Sequence, residues 1–148
     1  MIMKVKKLIS TGILGLMLAC TFMQTSMLVK ANNHTDKVFN FSFIADGSDI
    51  APEAPRAKND NTASYVKSNA GVDQFSVWFG GTNGNNADAM TSNIVSSYAI
   101  MPAGSYRYIS NNAYGRFRNV YPIFTVGQDN RAHRLSGKWS PDNISGRY

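Results

Sequence analysis

The side chains able to do chemistry in this sequence are few, and their spacing excludes most of it. There are two histidines, His34 and His133. His133, Ser136 and Asp142 have the residue types of a nucleophile–base–acid set, but no G-x-S-x-G accompanies them, and serine is common along the chain. Glycoside hydrolysis needs a pair of carboxyl groups at a set separation, and here eight Asp and a single Glu, Glu53, are scattered. Asp46-Gly47-Ser48-Asp49 with Asp60 supplies oxygen donors suited to calcium. It lacks the D-x-D-x-D-G spacing and closing Glu of a calcium loop, and reads as a solvated turn. Phosphate-cradling glycine motifs and zinc spacings do not occur. The expectation is a protein without cofactor, metal site or catalytic residues.

Binding is better supported. Between Tyr106 and Phe124 the order is Tyr106-Arg107-Tyr108, Tyr114, Arg116-Phe117-Arg118, Tyr121, Phe124. On a strand Arg107 points away from Tyr106 and Tyr108, and Arg116 and Arg118 flank an oppositely directed Phe117. Arginines interleaved with rings grip phosphate-rich or ring-bearing ligands. The plainer account, which the sequence favours, is ordinary alternation with rings in the core and arginine in water. Trp78, opposite in direction to Phe75, Val77 and Phe79, is either an exposed platform for a sugar ring or is covered by the loop 46–61. The binding candidates are therefore Trp78, Arg107, Arg116 and Arg118.

The elements that must position these residues are strands. VFNFSFI (38–44) alternates with Phe39, Phe41 and Phe43 on one face, and DQFSVWFG (73–80) alternates in the same way. TASYVKS (62–68), IVSSYAI (94–100), SYRYIS (105–110), GRFRNVYPIFTV (115–126) and HRLSGKWS (133–140) complete the set. Residues 46–61, with two prolines, read as a long loop, and GGTNGNN (80–86) as a hairpin connection. Met101-Pro102-Ala103-Gly104 reads as a type I turn. Pro122 predicts an edge position or a bulge. The fold expected is all-β: a single compact sandwich or irregular barrel of about seven short antiparallel strands, following an N-terminal signal helix.

The first 31 residues have the layout of a secretory signal. Lys4, Lys6 and Lys7 precede an uncharged, mostly apolar run over 8–23, and Val29-Lys30-Ala31 offers small residues at the positions signal peptidase reads. Sixteen residues are short for a transmembrane helix, which needs ~20. A lipid anchor at Cys20 is the alternative; the apolar FMQTSMLV after it is unlike a lipoprotein's polar tether. Cleavage after Ala31 leaves one domain, 32–148, released outside the cell and without cysteine. Four of the fifteen Lys and Arg leave with the signal, so eleven remain against nine acids. Residues 107–148 hold seven of those eleven and only two acids, a basic third suited to anionic surfaces. The same region, 32–148, has one Leu but seven each of Val, Ile, Tyr and Phe, an alphabet that fills strands and not helices.

FNFSF (39–43), RAKNDNTASY (56–65), MPAGSYRYISN (101–111) and SGKWSPDN (136–143), in this order behind a signal peptide, resemble a family of small secreted proteins of Bacillus-type bacteria known only as a domain of unknown function. The most specific piece is the terminal G-x-W-S-P-D of Gly137, Trp139, Ser140, Pro141 and Asp142, in which Trp139 is expected to pack and Asp142 to cap a turn. The resemblance implies no activity. GKWS is also similar to the ending of lactococcin-type bacteriocins. The function expected is that of a secreted, monomeric, non-enzymatic β-domain of a Gram-positive bacterium. It would act at the cell envelope on an anionic cell-wall polymer or membrane surface, and not on nucleic acid. The alternative is a bacteriocin-like toxin or competition factor, and the third reading a cell-wall or glycan-acting enzyme.

Overall fold

A computed structural model describes residues 33–44, 50–88, 93–127, 129 and 131–143. The signal segment, the cleavage point after Ala31 and the acidic stretch 46–49 lie outside the described residues. Nine strands run through the rest, joined only by turns and loops: β1 (Lys37–Phe43), β2 (Ile50–Pro52), β3 (Arg56–Ala57), β4 (Ser64–Ser68), β5 (Phe75–Thr82), β6 (Ala99–Met101), β7 (Tyr106–Ile109), β8 (Asn119–Thr125) and β9 (His133–Ser140). They form two antiparallel sheets, not a closed barrel. One has the order β1-β9-β4-β7; the other has the order β2-β8-β5-β6, with β3 also paired to β8.

The alternation read from the sequence decides which face is covered. Phe39 and Phe43 of β1, Val66 of β4, Leu135 and Trp139 of β9 point inward from the first sheet and are buried. Phe75, Val77 and Phe79 of β5 and Val120 and Phe124 of β8 meet them from the second. Phe39 lies 4.3 Å from Phe124 and edge-on to Phe75 at 5.8 Å, so the ring contacts bridge the sheets in a sandwich.

Several local expectations need correction. Residues 46–61 are not simply a loop, because β2 and β3 within them pair with β8. That makes β8 an interior strand, where Pro122 is not at an edge. Its ring is accommodated by an interruption: Pro52 pairs with Ile123 and Arg56 with Val120, so three residues, 53–55, face two, 121–122. Pro122 needs no donor there, and its carbonyl still accepts from the Glu53 N–H at 3.0 Å. Residues 94–100 are not one strand. Ile94 and Ser96 make single bridges before β6 begins at Ala99. The turn at 102–105 has the Ser105 N–H donating to the Pro102 carbonyl, with Gly104 third at φ +71°, which is the type II requirement and not type I. Gly80 and Gly81, expected in a connection, belong to β5, where the rings of Tyr121 and Phe117 lie over them.

Gly137 explains the glycine of the terminal motif. A Cβ there would sit 2.0 Å from the Lys67 carbonyl oxygen and 2.6 Å from the Phe39 ring, so β4 and β9 pair closely only because the side chain is missing. Gly137→Ala is expected to cost about 1–3 kcal/mol through forced separation of the strands. A urea melt of the variant with an unchanged midpoint would contradict this.

Candidate functional site

Two stretches far apart in sequence, 56–65 and 136–143, meet at one end of the sandwich. Lys58 follows β3 and Asp142 follows β9; each side chain is 0% exposed, and Nζ lies 2.6 Å from Asp142 Oδ1. The Lys58 ammonium also donates to the carbonyls of Thr62 and of Pro141, the latter at 2.8 Å. Asp142 Oδ2 accepts the backbone N–H groups of Asn33 at 2.9 Å and Asn59 at 3.0 Å. Asp142 therefore does not cap a local turn, as its sequence position suggested. It ties together three separate segments, because the strand ends converge there.

A third charged group, Asp60, stands 3.8 Å from Lys58 Nζ. Burial raises its pKa. This is outweighed by hydrogen bonds from the Thr62 hydroxyl and N–H, by the Lys58 charge and by a side-chain hydrogen bond with Asp142, so the carboxyl is held below its ordinary value. Around this cluster Ser64 Oγ donates to the Pro141 carbonyl at 2.7 Å, and Ser140 Oγ to the Asp142 carbonyl at 2.8 Å. Asn143 donates through its N–H to Thr62 Oγ1 and through its side chain to the Ala63 carbonyl. Arg56 lies over the Trp139 ring at 5.4 Å and donates to Asn33 Oδ1 and the Thr35 carbonyl. Burial lowers its pKa, against the opposing charges of Asp36 and Asp142. Trp139 itself is fully buried against Phe79, in the packing role expected of it.

Beside the cluster an open pocket of about 420 Å³ is lined by His34, Asp36, Tyr65, Tyr108, Ser140 and Asn143. Its floor continues onto the outer face of the first sheet. Tyr65, Tyr106 and Tyr108 gather there with ring centroids 5.5–6.3 Å apart. The Tyr65 hydroxyl has its pKa raised by burial, then by Asp36 and the other two tyrosines. Register places Lys67 directly between Lys138 on β9 and Tyr106 on β7, and Tyr65 between Ser140 and Tyr108. Both lysines are exposed and alternate with buried neighbours, so they share the outer face. Neither has an ion-pair partner among the described residues.

The binding candidates from the sequence are dispersed. Arg107, on β7, donates from Nε to the Ile100 carbonyl of β6 at 2.9 Å and so links the two sheets at their edge. Arg116 donates to Asn112 Oδ1 and lies over Phe117 at 5.4 Å. Arg118 is exposed; its carbonyl accepts from the Lys58 N–H, and its own N–H donates to Asn83 Oδ1. Arg116 and Arg118 sit in the connection before β8 and not on a strand, which breaks the alternation assumed for them. Trp78 is half-buried and stacked at 5.1 Å on an exposed Tyr98. His133 contacts Asp129 at 2.7 Å and Asp73 at 3.6 Å, while Ser136 lies on the opposite face, so His133, Ser136 and Asp142 make no triad. Lys58, Tyr65, Lys67 and Lys138 were missed. Only alternation was available to find any of them: it puts Tyr65 and Lys67 of SYVKS on one face, and Lys138 of HRLSGKWS on the face away from Trp139.

No group of three or more His, Cys, Asp or Glu suited to a metal ion occurs among the described residues. Among them, too, no helix is long and apolar enough to cross a membrane. No curated protein and no solved structure matches the chain. A family model described as a protein of unknown function, DUF2712, matches residues 27–143. That span takes in both halves of the Lys58–Asp142 junction and every strand of the sandwich, and the chain belongs to the DUF2712 family.

Proposed function

We propose that this protein is a secreted, monomeric β-sandwich of a Gram-positive, Bacillus-type bacterium that binds an anionic cell-wall polymer and catalyses no reaction. Export with cleavage after Ala31, and F-x-F and G-x-W-S-P-D as hallmarks of the family, are part of the same reading. The observation that carries it is the Lys67–Lys138 pair beside three tyrosines on one open sheet face. Like charges directly opposite on neighbouring strands repel, and an anion seated between them relieves that cost. The rings alongside supply flat apolar surface for a sugar or polyol backbone. On this reading the binding face is the outer side of the first sheet, while the Arg107 and Arg116 side chains serve other contacts and Arg118 lies apart in the connection before β8.

The test is sedimentation with isolated Gram-positive cell walls, with and without their anionic polymers. The protein is expected to pellet at low salt and to be released at about 0.5 M salt, where screening shortens the reach of charge. Lys67→Glu with Lys138→Glu should reduce the bound fraction at least tenfold. Tyr106→Ala with Tyr108→Ala should weaken binding by about 1–2 kcal/mol without altering its salt dependence. Wild-type protein that stays in the supernatant at low salt would sink the proposal.

A further inference from the structure

The closed junction between Lys58 and Asp142 has more than the parts of an ion pair. The amine and the carboxyl are each 0% exposed, 2.6 Å apart, and 84 positions apart in sequence. Asp142 Oδ2 is held by two backbone N–H groups, from Asn33 and Asn59, that converge on one oxygen. Two donors on one carboxyl oxygen polarise the Cγ–Oδ2 bond and stabilise negative charge on that oxygen, the arrangement of an oxyanion hole. The other oxygen, Oδ1, faces the amine. The carbonyls of Thr62 and Pro141 fix the position of Nζ from its other sides. A second carboxyl, Asp60, lies 3.8 Å from the same nitrogen. An amine and an acid enclosed away from water, an oxyanion site and a partly exposed proton carrier are held close together.

We infer that Lys58 and Asp142 join in an intramolecular amide bond. Proton transfer along the 2.6 Å hydrogen bond gives the neutral amine and neutral acid. The Nζ lone pair attacks Asp142 Cγ; the new C–N bond forms as the Cγ–Oδ2 double bond opens to an oxyanion held by the N–H groups of Asn33 and Asn59. Asp60 takes a proton from the attacking nitrogen and passes it to the Oδ1 hydroxyl. The Cγ–Oδ1 bond then breaks, the carbonyl re-forms and water leaves. The sum is ammonium plus carboxylate giving amide plus water, with no change of oxidation state and no other reactant. Holding the groups in contact replaces the activation that amide formation needs in solution. Ser140 and Asn143, on either side of Pro141 and Asp142, line the open pocket through which the water departs.

The bond would connect the end of β3, in one sheet, to the end of β9, in the other. With a single cysteine the chain has no intramolecular disulfide to close its sandwich, and the amide would serve that purpose. Intact-mass measurement of the folded, purified protein tests it. The mass should fall short of the sequence mass by one water, and trypsin should release a branched peptide joining residues 57–67 to 139–147. Lys58→Met should restore the full mass. Asp142→Asn should close the same amide by losing ammonia, giving the wild-type product mass. Asp60→Asn, with a wild-type circular dichroism spectrum, should retain the full mass. A folded wild-type protein at its full sequence mass, with the two peptides released separately, would overturn the inference. Unchanged water loss in Asp60→Asn would remove Asp60 from the step.

Discussion

Asp142→Ala is expected to cost about 3–5 kcal/mol of folding stability, measured as the shift in urea unfolding free energy. The wild-type carboxylate neutralises a Lys58 ammonium that no water reaches, and satisfies the N–H groups of Asn33 and Asn59. Alanine leaves the enclosed Lys58 charge with only the more distant Asp60 as counter-ion and removes the acceptor of two part-buried backbone donors, and the desolvation penalty falls on the folded state. Any Lys58–Asp142 amide is lost as well. Asp60→Asn is the comparison that separates the two effects, since it keeps both partners of the pair in place. A loss below about 1 kcal/mol for Asp142→Ala would mean that the pair does not hold the two sheet ends together.

Trp139→Ala is expected to cost about 3–5 kcal/mol as well, for a different reason. Trp139 is the largest fully buried side chain, packed on Phe79 and roofed by Arg56. Its removal opens a cavity beside Phe79 and leaves the Arg56 guanidinium without its ring. The indole Nε1 has no hydrogen-bond partner among the described residues. Trp139→Phe therefore loses volume but no hydrogen bond, and should cost less than about 1.5 kcal/mol. Equal losses in the two variants, read from the same denaturation series, would assign the role of Trp139 to its N–H and not to its bulk.

The contrast between these two residues shows what was legible. Trp139 lies in HRLSGKWS, whose alternation puts His133, Leu135, Gly137 and Trp139 on one face, and its burial follows from period two alone. The same rule found Phe39 and Phe43 in β1 and Phe75, Val77 and Phe79 in β5. It failed where pairing is intermittent. Ile94 and Ser96 make isolated bridges, and β2 and β3 are strands of three and two residues set among prolines, too short to carry a pattern. It failed also at Arg116 and Arg118, which alternate in sequence but sit in a connection, where alternation fixes no direction.

The sequence by itself determined the class of fold. A region with one Leu, many β-branched and aromatic residues and fifteen Asn has little to build helices from, and its alternating runs demand two sheets with their apolar faces together. It also marked the terminal G-x-W-S-P-D as special without supplying the reason. Tertiary structure alone decided that reason. Gly137 is small because the β4 backbone passes over it, and Asp142 is acidic because Lys58, 84 positions away, is enclosed beside it. Likewise, only strand order sets Lys67 against Lys138 and gathers Tyr65, Tyr106 and Tyr108. Local pattern records which way a side chain points from its own strand. Which distant strand lies beside it is set by the packing of the whole core, and the chemistry of this protein resides in those long-range neighbours.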